Sequence, residues 1–274
     1  MLGKLLKYEF KAMGRTLLPL YGALLAVAAI LGLMINFSDA MNSTGIVGSI
    51  MAVLIVVVYV VLLVAIVVMT MVLIVQRFSR NLLGTEGYFM LTLPASIDAH
   101  ILSKTISAMV WSLFSGIVGM VTLPLILLTS GSADTNVGAV FNEIGRGLRM
   151  VADEIGSGNL AVLILEVLLI MILTGAAFAL KVYASISVGH QVQKHTGLLS
   201  LAVFIGLCIV ESVAGSFVGV KTFEISGNNI EQQVVDSVLY AQQIMLVSIV
   251  FTAVVAAIYY VITRLLMKYK LNLE

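Results

Sequence analysis

A chain of 274 residues with 61% hydrophobic and 11% charged residues has too little polar surface to cover a water-soluble domain of that size. The mean hydropathy of +1.12 points to lipid. The formal charge of +1 says nothing about partners, no nucleic acid is expected among them, and the lone Cys208 excludes an internal disulfide.

In chain order, Leu2–Leu17 reads as an interfacial helix. At 100° per residue Leu2, Leu5, Leu6, Phe10, Met13 and Leu17 share one arc, and Lys4, Lys7, Lys11 and Arg15 the opposite one. That pattern suits a helix at the membrane surface, its basic face toward lipid headgroups or a partner. Glu9 breaks it, because it projects from the apolar arc. A carboxylate there is costly against lipid, so it is expected to meet protein, with Arg77 or Arg80 as the candidate partner, or to reach up to headgroups.

Six apolar runs follow, near Leu17–Phe37, Val47–Val75, Ile106–Leu128, Leu160–Tyr183, Leu198–Val218 and Ile244–Leu266. Each approaches or exceeds the roughly 20 helical residues that cross a bilayer core. They are continuous rather than alternating, which favours helices over strands of a membrane barrel. The second run is longer than a crossing needs, so it is expected to tilt or to continue beyond the membrane. The first is longer than a signal-peptide core and lacks an evident cleavage site, so no cleavable signal is expected.

Charge placement orients the chain. Lys4, Lys7, Lys11, Arg15, Arg77, Arg80, Lys104, Lys181, Lys194, Arg264, Lys268 and Lys270 fall on one side, against Arg146, Arg149 and Lys221 on the other. The positive-inside rule then places both termini in the cytoplasm. The expected fold is all-α: a single transmembrane domain over 1–274, six transmembrane helices, and an N-terminal interfacial helix over 1–16. A cytoplasmic loop covers 76–105, and extracellular amphipathic segments cover 129–159 and 219–243. Val137–Ile155 and Ile230–Tyr240 carry apolar residues at helical spacing.

The break Ser79–Lys104 is the largest polar interruption on the basic side. Gly84 is a plausible stop for a helix extending from the second span. Glu86–Leu93 suits a short helix presenting Tyr88, Leu91 and Leu93, ended by Pro94. Ser96 with Asp98 marks the capped start of the next helix. Such a short helix between two spans can transmit force, or it can rest on the bilayer as an ordinary surface hairpin.

Within the spans, Glu166 and Glu211 are ionisable, hence candidates for a substrate path or for helix–helix hydrogen bonds. Lys181 lies near enough to an end to snorkel. Gly215 and Gly219 form a G-x-x-x-G pair suited to close helix packing, and Ser115, Gly116 and Gly119 are ambiguous small residues. His100, His190 and His195 lie near cytoplasmic edges, and no HExxH, paired intramembrane acid or Ser–His pattern occurs. No enzyme is expected and no metal.

The segments LGKLLKYEFKAMGRTLLPLY, LLGTEGYFMLTLPAS, YASISVGHQVQKHTG and the ending KLNLE together resemble small permease subunits of bacterial ABC transporters of the type-2 exporter class. The resemblance covers the whole chain in number and order of segments, and EGYFMLTLP is its most specific part. It implies a connecting helix over Leu2–Arg15 and short helices on the outer side near Phe217–Tyr240. It also implies a coupling helix at about Thr85–Pro94 (Thr85, Glu86, Gly87, Tyr88, Leu91, Leu93, Pro94) resting on an ATPase. The chain has no G-x-x-x-x-G-K-[ST] loop, so ATP and magnesium would sit on separate ABC ATPase subunits. Six spans imply a second permease subunit, identical or related, in the surrounding membrane lipid. The expected activity is export by alternating access of an unidentified peptide, antibiotic-like or lipid-like molecule, or ion. The alternative is an ATP-independent secondary transporter or a membrane scaffold or receptor subunit.

Overall fold

The computed structural model describes the backbone of residues 2–41, 46–83, 96–130, 137–191, 195–217 and 230–269. Among these, every regular element is helical: α1 (Leu2–Met41), α2 (Ile46–Phe78), α3 (Ile97–Thr129), α4 (Val137–Ile155), α5 (Ser157–Gly189), α6 (Thr196–Phe217) and α7 (Ile230–Tyr269). Six of them, all but α4, are long and apolar enough to cross a membrane, so the chain is a multi-pass membrane protein by length and composition.

Several boundaries follow from local chemistry. α2 runs past Val75, one of the two outcomes its surplus length allows, and ends in a π-helical turn, Ser79–Leu83. α3 starts where the backbone N–H of Ala99 donates to Ser96 Oγ at 3.2 Å, the cap that the Ser96–Asp98 pattern predicts. α4 coincides with the amphipathic stripe Val137–Ile155. It is separated from α5 by Gly156 alone, whose φ of 84° is a left-handed conformation natural to glycine. His195, at φ 63°, makes the corresponding turn before α6.

Two expectations about element limits change. The interfacial helix and first span are one unbroken helix, α1, with Pro19 inside it. Pro19 removes one backbone donor, a loss that membrane helices tolerate. The stripe Ile230–Tyr240 is likewise the opening of α7 rather than a separate element.

The chain divides into two compact units: Met1–Leu6 with Ile74–Met109 and Leu148–Glu274, and Lys7–Leu73 with Val110–Gly147. In the first unit α6 and α7 both pack on α5. The C-terminal part of α5 is buried nearly all round, through Ala177, Ala179, Leu180, Val182, Tyr183, Ala184, Ser185, Ile186 and Ser187. Small residues there let neighbouring backbones approach. At Gly189 the approach is closest, since an added Cβ would overlap Ser200 at the start of α6.

In the second unit a stripe on α1, Met13, Leu17, Tyr21, Leu24, Ala28 and Leu31, is buried at helical spacing. Trp111 of α3 lies against it, 6.2 Å from the Phe10 ring and 6.3 Å from the Tyr21 ring. A Cβ on Gly14 would come within 2.9 Å of the indole. Further along, Gly32 lets α1 meet α3 at Thr129 and the Ile126 carbonyl, where a Cβ would collide. Hydroxyls bridge the helices as well. The Tyr21 hydroxyl lies 2.7 Å from Ser115 Oγ, Thr70 Oγ1 lies 3.1 Å from the same atom, and the Tyr59 hydroxyl lies 2.6 Å from Thr122 Oγ1.

Candidate functional site

The polar break is framed by described residues on both sides, all within the first unit. On the α2 side, Phe78 and Leu82 are fully buried. The Phe78 ring stacks on Tyr183 of α5, with centroids 4.2 Å apart and planes 10° from parallel. On the α3 side, Lys104 is buried and donates from Nζ to the Arg77 carbonyl at 3.0 Å. That carbonyl belongs to the last turn of α2, where helical oxygens lack intrahelical donors. A charge-assisted bond therefore ties the helix entering the break to the helix leaving it.

In the first turn of α3, Asp98 engages α7. Its Oδ1 accepts from Arg264 Nε at 2.8 Å and from the Tyr260 hydroxyl at 2.6 Å. The sequence marks Asp98 only as a capping residue; its link to α7, 162 residues away in the case of Tyr260, is a tertiary fact. Together these contacts connect both flanks of the break to α5 and α7. Thr85, Glu86, Gly87, Tyr88, Leu91, Leu93 and Pro94, the expected coupling residues, lie outside the described residues.

The other candidates meet different fates. Glu9 is buried, as its place in the apolar arc requires, and it has an interaction partner. Arg77 is half-buried and engaged; Arg80 is exposed and makes no ion pair among the described residues. Glu9 belongs to the second unit, Arg77 and Arg80 to the first.

Glu166 and Glu211 have unlike surroundings. Glu211 on α6 forms an ion pair with Lys181 of α5, and its Oε2 accepts from the Tyr259 hydroxyl of α7 at 3.3 Å. The Lys181 ammonium also lies 4.0 Å from Cys208 Sγ. Lys181, expected near a span end, has its ammonium turned to this carboxylate of the neighbouring helix α6. Glu166 is buried although Leu165 and Val167 beside it are exposed, and its Oε2 has no hydrogen-bond partner among the described residues.

Of the small residues singled out, Gly215 faces Phe251 of α7 at an ordinary 4.0 Å and leaves room for a side chain; Gly219 lies outside the described residues. Gly116 meets nothing within 4 Å and Gly119 meets Leu63 at 3.9 Å, whereas Ser115 is the hub between Tyr21 and Thr70. The tight positions are Gly14, Gly32 and Gly189, which no G-x-x-x-G spacing flags. His190 Nδ1 lies 2.9 Å from the Ile186 carbonyl of its own helix. Among the described residues no group of three His, Cys, Asp or Glu is placed to hold a metal.

Compared with known proteins, the chain matches no family model, no curated protein and no solved structure. What can be said of its action rests on its own residues.

Proposed function

We propose that this chain is the transmembrane subunit of an ATP-driven ABC exporter. It would move its cargo by alternating access, with ATP and magnesium bound by separate ATPase subunits and a second permease subunit completing the pathway. Its place is the cytoplasmic membrane, with both termini inside. The reading is supported by the resemblance of the segments quoted above and by six membrane-length helices. The single observation that carries it is the anchoring of the break's flanks, through Lys104 to the Arg77 carbonyl and through Asp98 to Arg264. A segment pushed from the cytoplasm transmits work only if its two ends are fixed to the helices it must move. A surface hairpin resting on lipid needs no such ties.

The test is co-purification of an ATPase with the full-length chain from gently solubilised membranes. Deleting Gly87–Leu93 is expected to release that ATPase while the spans stay inserted. Retention of the ATPase would assign the contact to α1 instead, and absence of any ATPase from the intact complex would overturn the reading.

A second reading has one observation in its favour. The Lys181–Glu211–Tyr259 cluster is an ionisable network within membrane-length helices, of the sort that ion-coupled carriers use. Vesicle transport driven by an ion gradient with no ATPase present would establish it, and dependence on ATP would remove it.

A further inference from the structure

The outward side of α1 changes character along a single line. Lys7, Tyr8, Lys11 and Arg15 are all exposed, Tyr8 by 71%, and at 100° per residue they share an arc of about 100°. None of the three cations forms an ion pair with a described residue. One turn on, the same arc continues as Leu18, Gly22, Ala26 and Leu33, also exposed and wholly apolar. The opposite side is buried from Glu9 and Met13 through Leu31. A helix with one face held against protein along its length thus shows its surroundings a cationic stretch and then an apolar one.

From this continuity we infer that the Lys7–Arg15 face binds the headgroups of anionic phospholipids, and that the boundary between headgroup and acyl layers falls between Arg15 and Leu18. A bilayer is the surrounding that turns from anionic and polar to hydrocarbon within one helical turn. A soluble partner on the basic stretch would have to stop where lipid begins. The ammonium and guanidinium groups complement phosphodiester oxygens. Tyr8, amphipathic and outward, suits the same interfacial layer. Glu9, the acidic residue within this stretch, is turned to the buried side and does not oppose the attraction. The inference stands apart from the exporter reading, since it needs no ATPase.

The experiment uses the purified full-length chain in mild detergent, offered phosphatidylglycerol and phosphatidylcholine in equal amounts, with retained lipid counted by native mass spectrometry. Each cation near an anionic surface strengthens attraction by about fivefold, so three together give a preference of about 100-fold. The preference is expected to fall toward one in K7Q/K11Q/R15Q, and to shrink in about 0.5 M salt, where screening is nearly complete beyond a few ångströms. Emission from Trp111, the sole tryptophan and a neighbour of Phe10, reports whether the variant keeps α1 in place. Equal retention of both lipids by the native chain would overturn the inference. So would an undiminished preference in a variant with native emission, or a variant that keeps its lipid preference but loses a protein partner.

Discussion

The two units of the chain are held together by different chemistry. In the second, helices meet through hydroxyls and glycines: Tyr21–Ser115–Thr70, Tyr59–Thr122, and the close approaches at Gly14 and Gly32. In the first, the close approach at Gly189 and the Phe78–Tyr183 stack are joined by charged contacts: Lys181 to Glu211, Arg264 to Asp98, and the Lys104 ammonium to the Arg77 carbonyl. Neutral contacts between membrane helices gain or lose little when one partner is removed, because the exposed hydroxyl finds its own helix carbonyl. A charged contact behaves otherwise, since removing one partner strands the other away from water. The buried Lys181–Glu211 pair of the first unit is therefore the contact whose loss should be felt most sharply.

That contrast can be broken at its strongest point first. Glu211→Ala leaves the Lys181 ammonium, only 12% exposed, without its carboxylate. It is expected to destabilise the protein by about 3 kcal/mol in detergent unfolding, and K181M/E211M should recover most of that loss. An equal loss in the double variant would mean that the pair's charges are not what joins α5 to α6.

Next in size, Gly32→Val should cost about 2 kcal/mol, because the new Cβ meets the Ile126 carbonyl as well as the Thr129 side chain and backbone cannot yield as a side chain does. Gly215→Ala, with 4.0 Å of room, should be close to neutral in the same assay. Similar losses from both would place the tight packing where the G-x-x-x-G spacing puts it.

Tyr59→Phe removes a single interhelical hydroxyl contact and is expected to cost about 0.6 kcal/mol, the usual value between membrane helices. The smallest effect should come from Arg264→Gln. Its side chain is 51% exposed, so the Asp98 pair is screened and should contribute under about 0.5 kcal/mol, vanishing in high salt. If, on the exporter reading proposed above, Arg264→Gln nonetheless uncouples transport from ATP hydrolysis in reconstituted vesicles, the role of that pair is positional rather than stabilising.

Much of the architecture is legible in the residues. Continuous apolar runs announce six membrane helices, the Val137–Ile155 stripe gives α4 its limits, and Ser96 announces the start of α3. The placement of Glu9 in an apolar arc announces that this carboxylate is buried. Each of these depends on interactions within a few turns, or on the match between one segment and its solvent. Three-dimensional packing alone decided the rest: the continuity of α1 through Pro19, the turning of Lys181 to Glu211, the bond from Lys104 to Arg77, and the glycines that bring helices close. Periodicity reveals which side of a helix is covered, but in a chain apolar nearly everywhere it carries no record of which neighbour covers it or at what height. Partner and register are set by long-range packing, and that is why the pairings emerge only when the helices are assembled.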